Sequence, residues 1–337
     1  MLKIKACALL ATAALVGVAL ASSPATADAA TAPSASTSPI VWGASVQAAK
    51  GEKLPAAKVR FEGDVGRTLG AVRDFLAWNS PFPTAYETGM RTAGTTVLLS
   101  VRSANLDGTL IPWATIAAAQ PGGPVYLQMK SWADRIRDFG APIYVTFQHE
   151  PESSANSHSG LASDYVAAWQ NWVTILRGEG ATNAKAMWIT TAFAYTVKAT
   201  DSRLASNWYP GDGYVDAIGA DAYNWYTCRA GVNTAWMSVA QLIEGMRQFS
   251  LLHPGPELWI TEFASVEDPA APGRRAQWIA DAQALFQQPN YARFKGVVYF
   301  EQNKAPCDWR VENTPDALAA LSTMGADPYY RGTVAVS

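Results

Sequence analysis

Charge and histidine are what this sequence has little of. Only 16% of its 337 residues are Asp, Glu, Lys or Arg, the formal net charge is −2, and there are three histidines and three cysteines. Without a basic excess no field draws in nucleic acid, which excludes a nucleic-acid-binding role. The lack of long charge runs in a chain that is 49% hydrophobic excludes a disordered protein. Three histidines leave little room for metal catalysis, and His149-Glu150 lacks the second histidine of a zincin helix, since Ser153 stands at that place. Neither a Gly-x-Ser-x-Gly elbow nor a phosphate loop ending in Gly-Lys-Ser/Thr occurs. No cofactor and no catalytic metal are expected.

What is there begins with a leader. Lys3 and Lys5 precede an apolar run from Ala6 to Ala21, broken by Thr12 and Gly17, and small-residue sites follow at Ala19-Leu20-Ala21 and Ala25-Thr26-Ala27. That layout reads as a secretory signal peptide over residues 1–29, followed by a flexible Ser/Thr/Pro/Ala-rich leader over 30–39. The expectation is a secreted, extracellular monomer, free of the membrane once the signal is cleaved. Residues 40–337 show no linker composition and no repeat, so they read as one domain. Cys7 leaves with the signal. Cys228 and Cys307 remain as an even pair in an oxidising compartment, which favours a disulfide over two buried thiols.

Short apolar runs rich in Val, Ile, Thr and aromatics predict eight strands: 40–46, 72–78, 95–101, 142–147, 186–191, 215–220, 257–261 and 296–300. Their near-continuous apolar character is that of parallel strands covered on both faces. Tyr165, Trp169, Trp172, Ile175 and Leu176 recur at helical spacing and predict a helix over 163–177, ended by Gly178 and Gly180. Weaker stripes run over 126–139, 239–252 and 274–286. This alternation predicts a single (β/α)8 TIM barrel, with a doubly wound open sheet as the alternative, and a barrel keeps its chemistry at the C-terminal ends of its strands.

Three strands run straight into ionisable residues there: Gln148-His149-Glu150 after the fourth, Asp221-Ala222-Tyr223 in the sixth and Thr261-Glu262 in the seventh. A carboxylate at the end of a buried strand is either paired or working. Cleaving a glycosidic bond needs a proton for the leaving oxygen and a nucleophile or water at the anomeric carbon, which two carboxyls of unequal pKa supply. Glu150 and Glu262 fit those two roles.

At these residues the sequence resembles glycoside hydrolase family 26, retaining β-glycanases on (β/α)8 barrels. The likeness runs from Trp42-Gly43-Ala44 to Cys307-Asp308-Trp309-Arg310 and is dense over 209–216, continuing to Asp221 and Tyr223. His149, rather than Asn, precedes the acid/base position, as in that family. The resemblance implies Glu150 as acid and later base, Glu262 as nucleophile, His149 against the sugar, Tyr223 hydrogen-bonded to the nucleophile and Asp221 shaping the site. It also implies a polysaccharide partner: β-mannan first, β-1,3-xylan or mixed-linkage β-glucan next. The loop from Pro151 to His158 lacks the Trp of mannan-cleaving relatives, and the eighth strand reads Tyr299-Phe300-Glu301-Gln302 where many carry a Trp.

Thirteen Trp in a lightly charged chain divide by this reading. Trp169, Trp172, Trp188, Trp259 and Trp278 lie on strand or helix stripes and are expected in the core. Trp113, Trp208, Trp225, Trp236 and Trp309, with Tyr209 and Tyr226, fall in expected loops, where a flat ring can stack on a sugar. Trp225 and Trp309 are the first choices as substrate-binding residues. The competing expectation is a secreted carbohydrate-binding barrel that has lost the reaction.

Overall fold

The computed structural model describes residues 38–231 and 235–334. The signal peptide and nearly all of the leader lie outside the described residues. All eight expected strands form: β1 (Val41–Val46), β2 (Ala71–Leu76), β3 (Thr96–Val101), β4 (Ile143–Phe147), β5 (Ala184–Thr191), β6 (Ala217–Asn224), β7 (Glu257–Ser265) and β8 (Phe294–Glu301). Each pairs in parallel with its neighbour, and β8 returns to β1 with Val41 opposite Gly296 and Val46 opposite Glu301. The barrel is therefore closed, and the open sheet is excluded.

The helices lie between strands in chain order: α1 (Leu54–Val65), α2 (Ala85–Thr92), α3 (Trp113–Ala117), α4 (Pro124–Phe139), α5 (Ala162–Gly178), α6 (Val239–Leu252), α7 (Arg274–Phe286) and α8 (Pro315–Ala326). The four stripes read from sequence are α4 to α7. The other four escaped notice because their buried faces are short or built from small residues, as with Ala57, Phe61 and Val65 in α1. Among the described residues no α-helix joins β5 to β6. Three 3-10 turns (Ala192–Tyr195, Ala205–Asn207 and Asp212–Tyr214) take its place, in a stretch broken by Pro210, Gly211 and Gly213 that has no helical period. Tyr195 and Tyr209 cover the barrel wall there, packing with Trp188 and with Phe249 of α6 at ring separations of 5.0–6.3 Å.

The barrel interior is graded along its axis. Val41, Ala71, Leu98, Tyr144, Met187, Ala217, Trp259 and Val298 form an apolar floor. Trp259 fits because its register partners on the two flanking strands are Gly219 and Gly296. A Cβ at Gly296 would stand 2.1 Å from the Trp259 ring. Since strand side chains alternate, the inner face of β2 runs from Ala71 to Arg73 and Phe75, and that of β6 from Ala217 to Asp221 and Tyr223. The floor thus gives way to polar groups at the mouth. Gly296→Ala is expected to cost about 1–3 kcal/mol through overpacking. A denaturant midpoint equal to the wild type would show that the ring can yield and that the floor is loosely packed.

Candidate active site

Alternation explains Asp221 and Tyr223 but not Glu262. On β7, Trp259 faces the interior and Ile260 the helix layer, so Thr261 should face inward and Glu262 outward. The pairing of β6 with β7 shifts register between Ala220 and Asp221, and that of β7 with β8 shifts between Ile260 and Phe263. An extra residue in a ladder re-aims the side chains beside it. Two consecutive residues consequently meet the inner face of β6: the Thr261 hydroxyl donates to Asp221 Oδ1 at 2.6 Å, and the Tyr223 hydroxyl donates to Glu262 Oε2. Glu262 Oε1 lies 3.5 Å from Nε of the buried Arg73. Among the described residues the three guanidinium nitrogens have no hydrogen-bond acceptor, while the ring of Phe75 lies 4.8 Å from the Arg73 Cζ.

Glu150 reaches the mouth from the turn that follows β4. Gln148 and Glu150 both adopt left-handed backbone, with φ of 47° and 48°, a conformation costing on the order of 1–3 kcal/mol each for residues other than glycine. Side chains and backbone hold the turn. Ser103 N donates to Gln148 Oε1 at 2.9 Å, Glu150 N to Ile189 O at 2.9 Å, and Asn156 Nδ2 to Glu150 O at 2.9 Å. Between the two strained residues, the His149 ring packs 5.2 Å from Phe75 and leaves a buried Nδ1 without a partner.

The carboxyls differ by environment. Burial, then the charges of Glu262 and Glu152, push Glu150 up to about 8, with Arg73 and Arg229 opposing. A proton therefore stays on Glu150 at neutral pH. Burial also raises Glu262, against the charge of Arg73 and the Tyr223 hydroxyl, which both favour its anion. The expected stabilisation by Tyr223 is present, but it moderates a rise rather than producing a net fall. Asp221 lies well above the usual carboxylate range, raised by burial and then by Glu262 and Glu150. Burial beside Arg73 drops His149 to about 3, leaving the imidazole neutral. The structure thus brings Glu150, Glu262, His149, Asp221 and Tyr223 to one mouth. Among the described residues no group of three or more His, Cys, Asp or Glu is arranged to hold a metal ion.

The aromatic expectations divide. Trp169, Trp172, Trp188, Trp259 and Trp278 are core residues, as expected. Trp225 is half-buried, its ring 5.4 Å from Tyr223 and 5.0 Å from the Arg229 guanidinium. Trp309 requires correction. With 1% of its surface exposed it offers no face to a sugar; it backs the rings of Tyr223 and Trp225 at 4.9 and 5.0 Å instead. Trp113 and Trp208 are likewise packed, their indole nitrogens donating to Ser103 Oγ and Ser202 O. Tyr209, which precedes β6 rather than following a strand, belongs to the wall cluster. Trp236 and Tyr226 are half-buried against each other, 5.4 Å apart, with Arg274 over Trp236.

Arg73 and Phe75 were missed in the sequence. Both stand two residues apart in an unremarkable strand, and only the period-two alternation from Ala71 could have placed them at the mouth. Phe75 is 38% exposed and touches His149. Cys228 and Cys307 form the expected disulfide, Cα atoms 5.3 Å apart, joining the loop after β6 to a short hairpin after β8 (Asn303–Lys304 with Cys307–Asp308). A cavity of about 490 Å³ opens beside this link, walled by the ion pairs Arg310–Asp308 and Arg275–Glu267.

Residues 130–253, from α4 through α6, match the profile of glycosyl hydrolase family 26. Over these residues the chain is similar to glycosyl hydrolase family 26. The chain is 28% identical over 264 residues to endoglucanase H of Acetivibrio thermocellus, a match covering 76% of the chain and 27% of the relative, so it spans about a quarter of that protein. Among solved structures it is similar in fold to a modular endo-β-1,4-mannanase from Cellulomonas fimi, with a TM-score of 0.60 at 18% identity over 86% of this chain and 71% of the other. The catalytic domain of an endo-β-1,4-mannanase from Bacillus sp. JAMB-750 gives 0.59 at 17% identity over 88% and 87%. The disulfide fixes the rim that carries Trp225. Cys307→Ser, or reduction, is expected to lower the unfolding free energy by about 2–4 kcal/mol, read from melts with and without reductant; coincident melts would show that the link adds nothing.

Proposed function

We propose that the chain cleaves internal β-glycosidic bonds of a polysaccharide by a retaining double displacement. The observation that carries this is the pair of glutamates, one in the turn after β4 and one on β7, in unlike surroundings, the first rich in acidic neighbours and the second beside Arg73 and Tyr223. Glu150 gives its proton to the glycosidic oxygen as the carboxylate of Glu262 attacks the anomeric carbon. The carbon–oxygen bond to the leaving sugar breaks and an ester to Glu262 forms. Glu150, now an anion, takes a proton from water, whose oxygen attacks the same carbon and frees Glu262 with configuration retained. Neutral His149 with the exposed ring of Phe75, and Trp225 beside Tyr223, are the groups offered to the sugar.

For the substrate we place a β-glucan ahead of β-mannan. The endoglucanase is 28% identical to this chain, against 17–18% for the mannanases named above, and the loop from Pro151 to His158 carries no Trp. Residues 1–29, read as a signal peptide, support export of the enzyme.

Reducing-sugar release from mixed-linkage β-glucan, β-mannan and β-1,3-xylan tests both statements. Glu262→Ala and Glu150→Ala are each expected to lower kcat on the order of 10²–10⁴-fold. Activity surviving in Glu262→Ala would remove the nucleophile assignment, and binding without cleavage of any glycan by the wild type would favour the carbohydrate-binding reading. Tyr223→Phe should move the acidic limb of the pH–rate profile upward, because the lost hydroxyl favoured the Glu262 anion that attack requires. A limb that stays or moves down would contradict that role.

A further inference from the structure

Glu152 lies two residues beyond Glu150 and takes no part in the reaction as written. We propose that Glu152 is a positioning residue for Glu150, latching the strained turn after β4 onto β5 and keeping a negative charge against the acid/base carboxyl. This rests on the reading of Glu150 as acid and base.

The latch is explicit. Glu152 is 4% exposed, and its Oε1 accepts from both the backbone N and the hydroxyl of Thr191 at 2.7 Å. Glu150 N bonds Ile189 O, so the turn is fastened at two successive inward positions of β5. Those bonds help offset the cost of left-handed backbone at Gln148 and Glu150.

The charge needs a separate reason. Glu152 Oε2 is buried without a hydrogen-bond partner, and no cation is within ion-pair distance of Glu152 among the described residues. Two neutral donors on one oxygen are meagre compensation for a buried anion. A glutamine could accept the same two bonds and would remove that cost, so the latch alone does not account for an acid here. What the carboxylate adds is its field at Glu150, whose other charged neighbours are Glu262 on β7, Asp221 on β6, Arg73 on β2 and Arg229 after β6. Around Glu152 itself stand Tyr165 of α5 and Tyr195 of the turn after β5. Glu262 loses its charge while it is bonded to the sugar. Glu152 takes no part in that bond; burial raises its own carboxyl to about 7, so above that pH it is an anion and keeps Glu150 basic through the second half of the reaction.

The test compares kcat and KM against pH for wild type, Glu150→Gln, Glu152→Gln and Thr191→Val, on whichever polysaccharide of the panel is cleaved fastest. Glu152→Gln should move the alkaline limb of kcat/KM down by about one pH unit, since a removed negative charge makes Glu150 easier to ionise. It should lower kcat several-fold with KM altered less than about twofold. Thr191→Val keeps the carboxyl but removes a donor that favours its anion, so a smaller shift in the same direction is expected, and this variant decides the matter if Glu152→Gln does not fold. A limb that stays in place while Glu150→Gln is inactive overturns the role of Glu152 and leaves the assignment of Glu150 standing. Wild-type activity in Glu150→Gln overturns both.

Discussion

Arg73 lies inside the barrel with no hydrogen-bond acceptor of its own, in contact with Glu262 and bearing electrostatically on Glu150, Asp221 and His149. Crowding acids into a largely buried space would normally neutralise all of them. One fixed cation beside one of them breaks that symmetry. Glu262, with Arg73 and the Tyr223 hydroxyl, has the groups that support an anion. Glu150, facing two acids, keeps its proton. Which carboxyl holds its proton is therefore set by which one is next to the guanidinium, and Phe75, stacked over that guanidinium, links the cation to the exposed rim of the mouth.

Much of the fold was legible because a barrel repeats one simple signal. Eight apolar runs, one clear helical stripe and three weaker ones were enough to expect closure, and the weak helices at Leu54–Val65 and Pro315–Ala326 follow once the strands are counted. The connection from β5 to β6 was not legible, since aromatic packing of Tyr195 and Tyr209 does there what a helix does elsewhere. At the site, Glu150, Asp221, Tyr223 and Glu262 could be picked out because ionisable residues abruptly end apolar strands. Arg73 could not, since it sits in the middle of one. Trp309 misled for a different reason: a Trp in a loop between polar residues looks exposed, but Tyr299 and Arg275 bind its carbonyl and pull the segment inward.

The rim after β6 and β8 is held by different means from the turn after β4. The disulfide, buried Trp309 and buried Glu301, which accepts from Val311 N and Glu312 N, secure the first. Hydrogen bonds from Ser103, Asn156 and Thr191 secure the second. The rim beside Glu262 is thus braced covalently and by packing, while the turn that carries Glu150 relies on polar contacts.

The register shift in β7 has a bearing on how such sites are inherited. A side chain's destination on a strand is decided by parity, and Glu262 reaches the mouth only because one residue too many is counted between it and Trp259. A sequence with the same Thr-Glu motif and the same strand composition, but without that irregularity, would send its glutamate into the layer of helices. The motif names the chemistry. Whether it is aimed at a substrate depends on a count that composition does not reveal.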